Sequence, residues 1–301
     1  TPLRVAVRAR PLLRRDGPAA DLSIDHREFD RVFGADSSQA AVTQHCAAPL
    51  VDCLFKGMHG CLFAFGQTGA GKTFSMLGAE GGRRRACQDG VLPLATGDIF
   101  RRVAQLEAEA AQAGSSSQYQ LRASFVEVYR ERVYDLLSPS EDARRQLRLR
   151  EQADGSVCAE GATELPIRSI KEVLACVARG SAARATEATG VHEHSSRSHA
   201  VLTLTLEHRW RTDRDDGMIN KQHAKLTLVD LAGSEDMTRS HGGTGNRDGI
   251  ATNLGLHALT RVLAALASDA EHIPYRDATL TRLLQPALGG DCVTQMLACV
   301  S

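Results

Sequence analysis

The octapeptide Gly66-Gln67-Thr68-Gly69-Ala70-Gly71-Lys72-Thr73 constrains the fold more than any other part of this chain, because a phosphate-binding loop works only between a buried strand and the first turn of a helix. The flanks supply both. Leu62-Phe63-Ala64-Phe65 is a short apolar run suited to a buried strand, and Thr73-Phe74-Ser75-Met76-Leu77 can open a helix. Glycines at 66, 69 and 71 let the backbone turn tightly and aim successive N–H groups at phosphate oxygens, while the helix N-terminus adds its dipole. Lys72 is then placed to reach the β- and γ-phosphates and Thr73 to ligate Mg2+. The motif predicts a nucleoside triphosphate site in an α/β fold.

With 301 residues and 43% hydrophobic content the chain can bury a sizeable core, and strand and helix patterns alternate along it, so a single α/β domain over residues 1–301 is expected. The formal charge is zero at pH 7, which argues against a nucleic-acid partner; a polyanionic partner has to meet a local basic patch. Eight cysteines without a CxxC pair fit free thiols in a reducing compartment, with the cytosol as the default location. No apolar stretch approaches bilayer length, so no membrane partner is expected. His192-Glu193-His194 lacks a third convergent ligand, and no metal site made solely of protein ligands is expected.

Val5 and Val7 alternate with polar neighbours as a first strand ending at Arg10-Pro11. Residues 41–55 carry one helical stripe, and residues 91–113 a second helix. Residues 78–85 read as an exposed loop. Strands are expected over 121–129, 200–208, 225–230 and 293–300, and helices over 170–179, after Gly249, and over 277–288. Residues 144–150 read as a basic, polar segment.

A phosphate loop holds a nucleotide, but hydrolysis needs one element to hold water and Mg2+ and another to sense the γ-phosphate. Two further motifs qualify. Ser195-Ser196-Arg197-Ser198-His199 places three hydroxyls and a guanidinium just before a strand. Leu228-Val229-Asp230-Leu231-Ala232-Gly233-Ser234-Glu235 ends a strand in an acid, a glycine and a second acid. Asp230 is the expected Mg2+-side carboxylate. Gly233 frees a backbone N–H to approach a γ-phosphate, and loss of that contact after hydrolysis can release the following segment.

In this order the three motifs resemble the kinesin motor domain, with residues 66–73 as its phosphate loop, 195–199 as switch I and 230–235 as switch II. The likeness runs along nearly the whole chain. Arg8-Ala9-Arg10-Pro11 resembles the family's adenine-side RxRP, and Ser124-Phe125-Val126-Glu127-Val128-Tyr129 its central strand. Pro274-Tyr275-Arg276-Asp277, Leu280-Thr281-Arg282-Leu283-Leu284 and Leu288-Gly289-Gly290 resemble the track-facing loop and helix. Asn253-Leu254-Gly255-Leu256 and the Ala298-Cys299-Val300-Ser301 ending are similar to the kinesin-4 group. The resemblance implies a P-loop NTPase fold, a central mixed sheet of about eight strands with helices on both faces, and an ATPase stimulated by microtubules in the cytoplasmic cytoskeleton. It implies a nucleotide contact through Arg8, Arg10, Pro11, the loop from Gly66 to Thr73, and Phe74. It also implies that Thr73 and Ser196 ligate Mg2+, that Asp230 holds it through water, and that Arg197 and Glu235 clasp across the switches while Ser195 and Gly233 complete the catalytic set. An Arg–carboxylate fork suits such a latch because it is directional and always charged on the arginine side.

For track binding the resemblance points to Arg239, Arg247, Arg261, Arg276 and Arg282, with Arg144, Arg145, Arg148 and Arg150 on the opposite flank. Several positions depart from the family pattern. His192 stands where switch I usually has Asn, Thr279 replaces the lysine of the track-facing stretch, and Thr260-Arg261 replace a Gly-Asn pair. The segment between Pro11 and Phe29 is short, and the chain stops at Ser301, ahead of the family's last helix and neck linker, so stepping is not expected of this segment and any oligomerisation is expected to use other segments. His192 and Thr279 also motivate an alternative, a nucleotide-binding scaffold or regulator of microtubules with weak or no hydrolysis; a third reading is an unrelated P-loop ATPase.

Overall fold

A computed structural model describes residues 3–10, 28–79, 89–139, 145–153, 156–185, 197–211, 219–235, 247–290 and 292–301. Pro11, Ser195 and Ser196 lie outside these residues, as do the His192 position, Arg144 and Arg239. A mixed sheet forms the centre. Its strands are β1 (Arg4–Ala9), β2 (Arg31–Phe33), β3 (His59–Phe65), β4 (Ser117–Tyr129), β5 (Arg132–Asp135), β6 (Arg145–Leu147), β9 (Leu165–Ile167), β10 (His199–Arg211), β11 (Ile219–Asp230) and β12 (Cys292–Val300). They run in the order β2-β1-β12-β3-β11-β10-β4-β5-β6, with β9 also paired to β4. A separate ribbon pairs β7 (Leu149–Glu151) with β8 (Val157–Ala159). The sheet is thus ten-stranded, wider than the eight or so expected, because the short strands β2, β5 and β9 and the edge strand β6, from the polar 144–150 segment, add to the central ones. Edge strands are solvated on one side, so polarity does not disqualify them.

Alternation along the central strands feeds two cores. Leu62 and Ala64 of β3 point into one cluster, and Cys61 and Phe63 into the other. The first is covered by α1 (Gln39–Cys46), α2 (Ala48–Phe55), α4 (Val91–Gln112) and α5 (Ile170–Ala185). The second is covered by α6 (Arg247–Ala267), α7 (Thr279–Leu283) and α8 (Gln285–Gly289). A sheet buried on both faces explains why β3 is apolar at nearly every position rather than alternating.

Two expected helices are each broken. The 41–55 stripe divides at Ala47 because Pro49, in the first turn of α2, has no N–H to continue a ladder. The 277–288 stretch becomes a 3-10 turn (Tyr275–Asp277), then α7, then α8, with Ala278 extended and Pro286 in the first turn of α8. The β4–β5 corner is a two-residue hairpin in which Arg130 and Glu131 both take positive φ, 49° and 56°. Glu131 is held from afar: its carboxylate accepts the Thr279 N–H at 2.6 Å, capping α7, while the Thr279 hydroxyl donates to the Glu131 carbonyl at 3.1 Å.

Candidate functional site

Parallel pairing brings the chemistry to one edge of the sheet. β1, β12, β3 and β11 are parallel neighbours, so their carboxyl ends open on the same side, and β10, antiparallel to β11, begins there. Crevices at the carboxyl ends of parallel strands are where α/β sheets bind ligands. Register places Asp230 beside Ala64, directly before the phosphate loop, and Ala200 beside Asp230. The loop runs from the end of β3 into α3 (Lys72–Leu77).

Gly66 has φ 145°, and a Cβ there would run into the Cys299 carbonyl of β12, so only glycine lets the loop leave β3 at this angle. Gly69 and Gly71 follow at φ 80° and 96°, with Gly71 as the residue preceding α3. Lys72 is buried, and its ammonium donates to the carbonyls of Gly66 at 2.8 Å and Gln67 at 2.9 Å, which hold it inside the loop. Burial lowers its pKa, against the pull of Asp230 and Glu235. Ala70 is buried beneath the loop and Phe74 stays exposed on α3.

The Thr73 hydroxyl donates to Asp230 Oδ2 at 2.6 Å. The other carboxylate oxygen, Oδ1, is buried and has no hydrogen-bond partner among the described residues. A buried carboxylate oxygen left without a donor is costly unless something positive or a water meets it. Burial raises the Asp230 pKa, opposed by the Thr73 hydrogen bond and by Arg184 and Lys72. Hydroxyl, lysine and orphaned carboxylate oxygen together are a donor set that fits Mg2+ and a phosphate chain.

Switch II closes over the loop. Leu231 N–H donates to the Ala64 carbonyl at 3.3 Å and Ser234 N–H to the Gly66 carbonyl at 3.1 Å. Glu235 is bound back to the loop: its carboxylate accepts the Thr68 N–H at 2.7 Å and also the Thr68 hydroxyl. Burial would raise its pKa, and the two Thr68 hydrogen bonds, its own backbone N–H and the Lys72 ammonium together outweigh that and lower it. Gly233 sits between these groups; a Cβ there would collide with the Thr68 hydroxyl and both Glu235 oxygens. Arg197 is half-buried just ahead of β10. The structure therefore brings Thr68, Lys72, Thr73, Asp230, Gly233 and Glu235 together and gives the Glu235 carboxylate to Thr68.

Arg8 faces α3 rather than open space. Its guanidinium donates to Gln39 Oε1 at 2.7 Å and to the Ser75 hydroxyl at 2.8 Å, and lies 5.3 Å from the centre of the Phe74 ring. Gln39 in turn donates to the Phe74 carbonyl at 2.6 Å. Arg8 thus braces the start of α3 through Phe74 and Ser75. Arg10 continues the edge, its N–H donating to the Val300 carbonyl at 3.0 Å.

Three residues of the site had no role assigned by the motifs. Glu127 of β4 is fully buried and pairs with Arg184 of α5 at 3.2 Å. Arg184 also donates to the Ser198 hydroxyl at 2.9 Å and the Ser198 carbonyl at 3.3 Å, which anchors the end of switch I. His199 is buried, and its Nδ1 accepts the Ala232 N–H at 3.1 Å, tying the start of β10 to switch II. Burial, with Arg184 and Lys72 nearby, lowers its pKa to about 3, so the ring is neutral and Nδ1 is free to accept. The signal for Glu127 was a charged residue inside an apolar strand, which must find a partner when buried.

Comparison with known proteins agrees with this geometry. Residues 19–301 match the family model for the kinesin motor domain. The chain is 36% identical to the kinesin-like protein KIN-4A of Gossypium hirsutum, over 99% of this chain and 32% of that one. It is 38% identical to KIN-4C of Arabidopsis thaliana, over 99% of this chain and 26% of that one, and 37% identical to mouse KIF27, over 100% and 23%. It therefore spans about a quarter to a third of the length of these curated relatives. A solved structure described as a fast kinesin, with implications for ATPase mechanism and interactions with microtubules, superposes with TM-score 0.82 at 32% identity, covering 99% of this chain and 85% of that one. Another, kinesin 6, shares the fold with TM-score 0.81 at 23% identity, covering 99% and 93%. The kinesin-4 likeness is consistent with these relatives, and the chain belongs to the kinesin motor-domain family.

Proposed function

We propose that residues 1–301 act as one microtubule-stimulated ATPase motor domain on the cytoplasmic cytoskeleton, in which γ-phosphate sensing at Gly233 moves the helix α6. The observation that carries the catalytic half is the Asp230 carboxylate, one oxygen on the Thr73 hydroxyl and the other buried without a donor among the described residues. Magnesium, when bound, supplies positive charge against the phosphate oxygens. Thr73 and Ser196 would ligate it and Asp230 would hold it through water, consistent with the oxygen-rich donors this metal prefers.

The loop N–H groups and Lys72 orient the triphosphate, while Arg8, Arg10, Pro11 and Phe74 form the base-side rim. Glu235 changes partner in the cycle. It now accepts from Thr68, whose N–H and hydroxyl belong to the phosphate loop. A phosphate arriving on that loop competes for the same donors, which releases Glu235 to clasp Arg197 and order the attacking water together with Ser195. The Ser234 N–H on the Gly66 carbonyl keeps loop and switch in register during the exchange.

The replaced lysine no longer favours a non-motor scaffold, because Thr279 has a structural task at Glu131. No helix among the described residues is long and apolar enough to cross a membrane. Steady-state ATPase with and without microtubules tests the reading. Lys72→Ala is expected to lose nucleotide binding by about 100-fold or more, and Glu235→Ala to keep binding while hydrolysis stops. Retained turnover in the second variant removes the clasp, and absence of microtubule stimulation in the parent protein removes the motor.

A further inference from the structure

Three of the arginines on the track-facing surface, Arg150, Arg261 and Arg276, are each already held by a carboxylate of this chain. Arg150 lies 2.6 Å from Glu160, Arg276 lies 3.2 Å from Glu151, and Arg261 lies 2.8 Å from Asp277. The pairs share elements. Arg150 and Glu151 are neighbours on β7, Arg276 and Asp277 are neighbours in the 3-10 turn, and Arg261 stands on α6. Glu151–Arg276 and Asp277–Arg261 thereby link the β7–β8 ribbon through the 3-10 turn to α6, while Arg150–Glu160 leaves the opposite face of the ribbon. The arginine side chains of the three pairs remain 64% to 79% exposed and the acids 38% to 50%. By contrast Arg148 and Arg282 carry no carboxylate partner among the described residues.

Exposure fixes the weight of these pairs. An exposed ion pair contributes little net stability, so a denser array of external carboxylates can displace the internal partner. A face carrying matched, touching charges also attracts little from beyond about 8 Å at physiological salt. We propose that Glu151, Glu160 and Asp277 are internal competitors of the acidic microtubule surface: docking on this face proceeds by exchange of carboxylate partners, and these three acids set its affinity. The inference rests on the reading of this face as the microtubule-binding one. Arg148 and Arg282 supply the attraction that needs no exchange.

The test is co-sedimentation of the purified protein with microtubules in a non-hydrolysable ATP analogue, across a range of salt. Glu151→Gln, Glu160→Gln and Asp277→Asn are made singly and together. Glu109→Gln is the control, since Glu109 is exposed on α4, across the sheet, and its loss changes net charge equally. Each of the three single variants is expected to tighten Kd about two- to fivefold at low salt, the triple variant more, with the gain fading as salt rises and the control matching the parent. Variants of the three acids that bind like the parent, or no tighter than the control, overturn the exchange. A parent protein that binds no microtubules in any nucleotide state overturns the functional reading beneath it instead.

Discussion

Glu127–Arg184 and Glu151–Arg276 are ion pairs of identical chemistry at the same separation, 3.2 Å, in two regions of one molecule. The first is buried, with side chains 0% and 12% exposed; the second stands in water, at 48% and 79%. Distance therefore says little about what either pair does. In the interior the carboxylate has no solvent to fall back on, so the pair is obligatory and holds Ser198 at the end of switch I. On the surface water and salt compete for both partners, so the pair is exchangeable and suited to a face that must release and rebind. One molecule thus carries both kinds, a fixed pair inside and a replaceable one on its surface.

The sharpest way to break this contrast is to truncate one partner in each region. Glu127→Ala or Arg184→Ala leaves a buried charge unpaired and is expected to destabilise the fold by about 3–5 kcal/mol in denaturant titrations, whereas Glu151→Ala should change it by less than about 1 kcal/mol. Similar midpoints for the two would dissolve the distinction. A smaller effect comes from His199. Its folded pKa of about 3 lies below the ordinary histidine value, so the unfolded chain takes up the proton first. The stability it contributes is fully present above about pH 6.5 and is lost as pH falls from there towards 3, by about 2 kcal/mol between pH 7 and 5. Thermal unfolding across that range should show the loss, and a His199→Asn variant should flatten it. Smallest is Thr279→Val, which removes the hydroxyl to the Glu131 carbonyl but keeps the N–H cap; a cost of about 0.5–1.5 kcal/mol, read as a modest fall in Tm, is expected.

Local chemistry made much of this legible. The phosphate loop, its flanking strand and helix, and the acid ending β11 follow from glycine, lysine and apolar patterning within a few residues, and the structure puts Asp230 in hydrogen-bond contact with the Thr73 hydroxyl. Helix division at Pro49 and Pro286 was equally local but was masked by apolar spacing that continues across the break. The Arg184–Glu127 and His199–Ala232 contacts join residues 57 and 33 positions apart, brought together by the packing of α5 on β4 in the first case and by β10–β11 register in the second. Arg8 illustrates the same limit: its motif predicts a nucleotide contact, but the bracing of α3 by its guanidinium through Gln39 and Ser75 is not legible from the motif. The carboxylate partners of Arg150, Arg261 and Arg276 were hidden for a related reason, since a sequence gives charges and not their partners.

The Arg130–Glu131 corner carries a last consequence. Two consecutive side-chain-bearing residues in left-handed backbone cost about 1–2 kcal/mol apiece, and a two-residue hairpin of this kind would locally prefer Asn-Gly. That exchange would relax the bend and at the same time unseat α7, whose first N–H depends on the Glu131 carboxylate 148 residues away in the chain. Stabilisation by consensus turn design should therefore fail here, with a more comfortable hairpin obtained at the expense of a loosened α7.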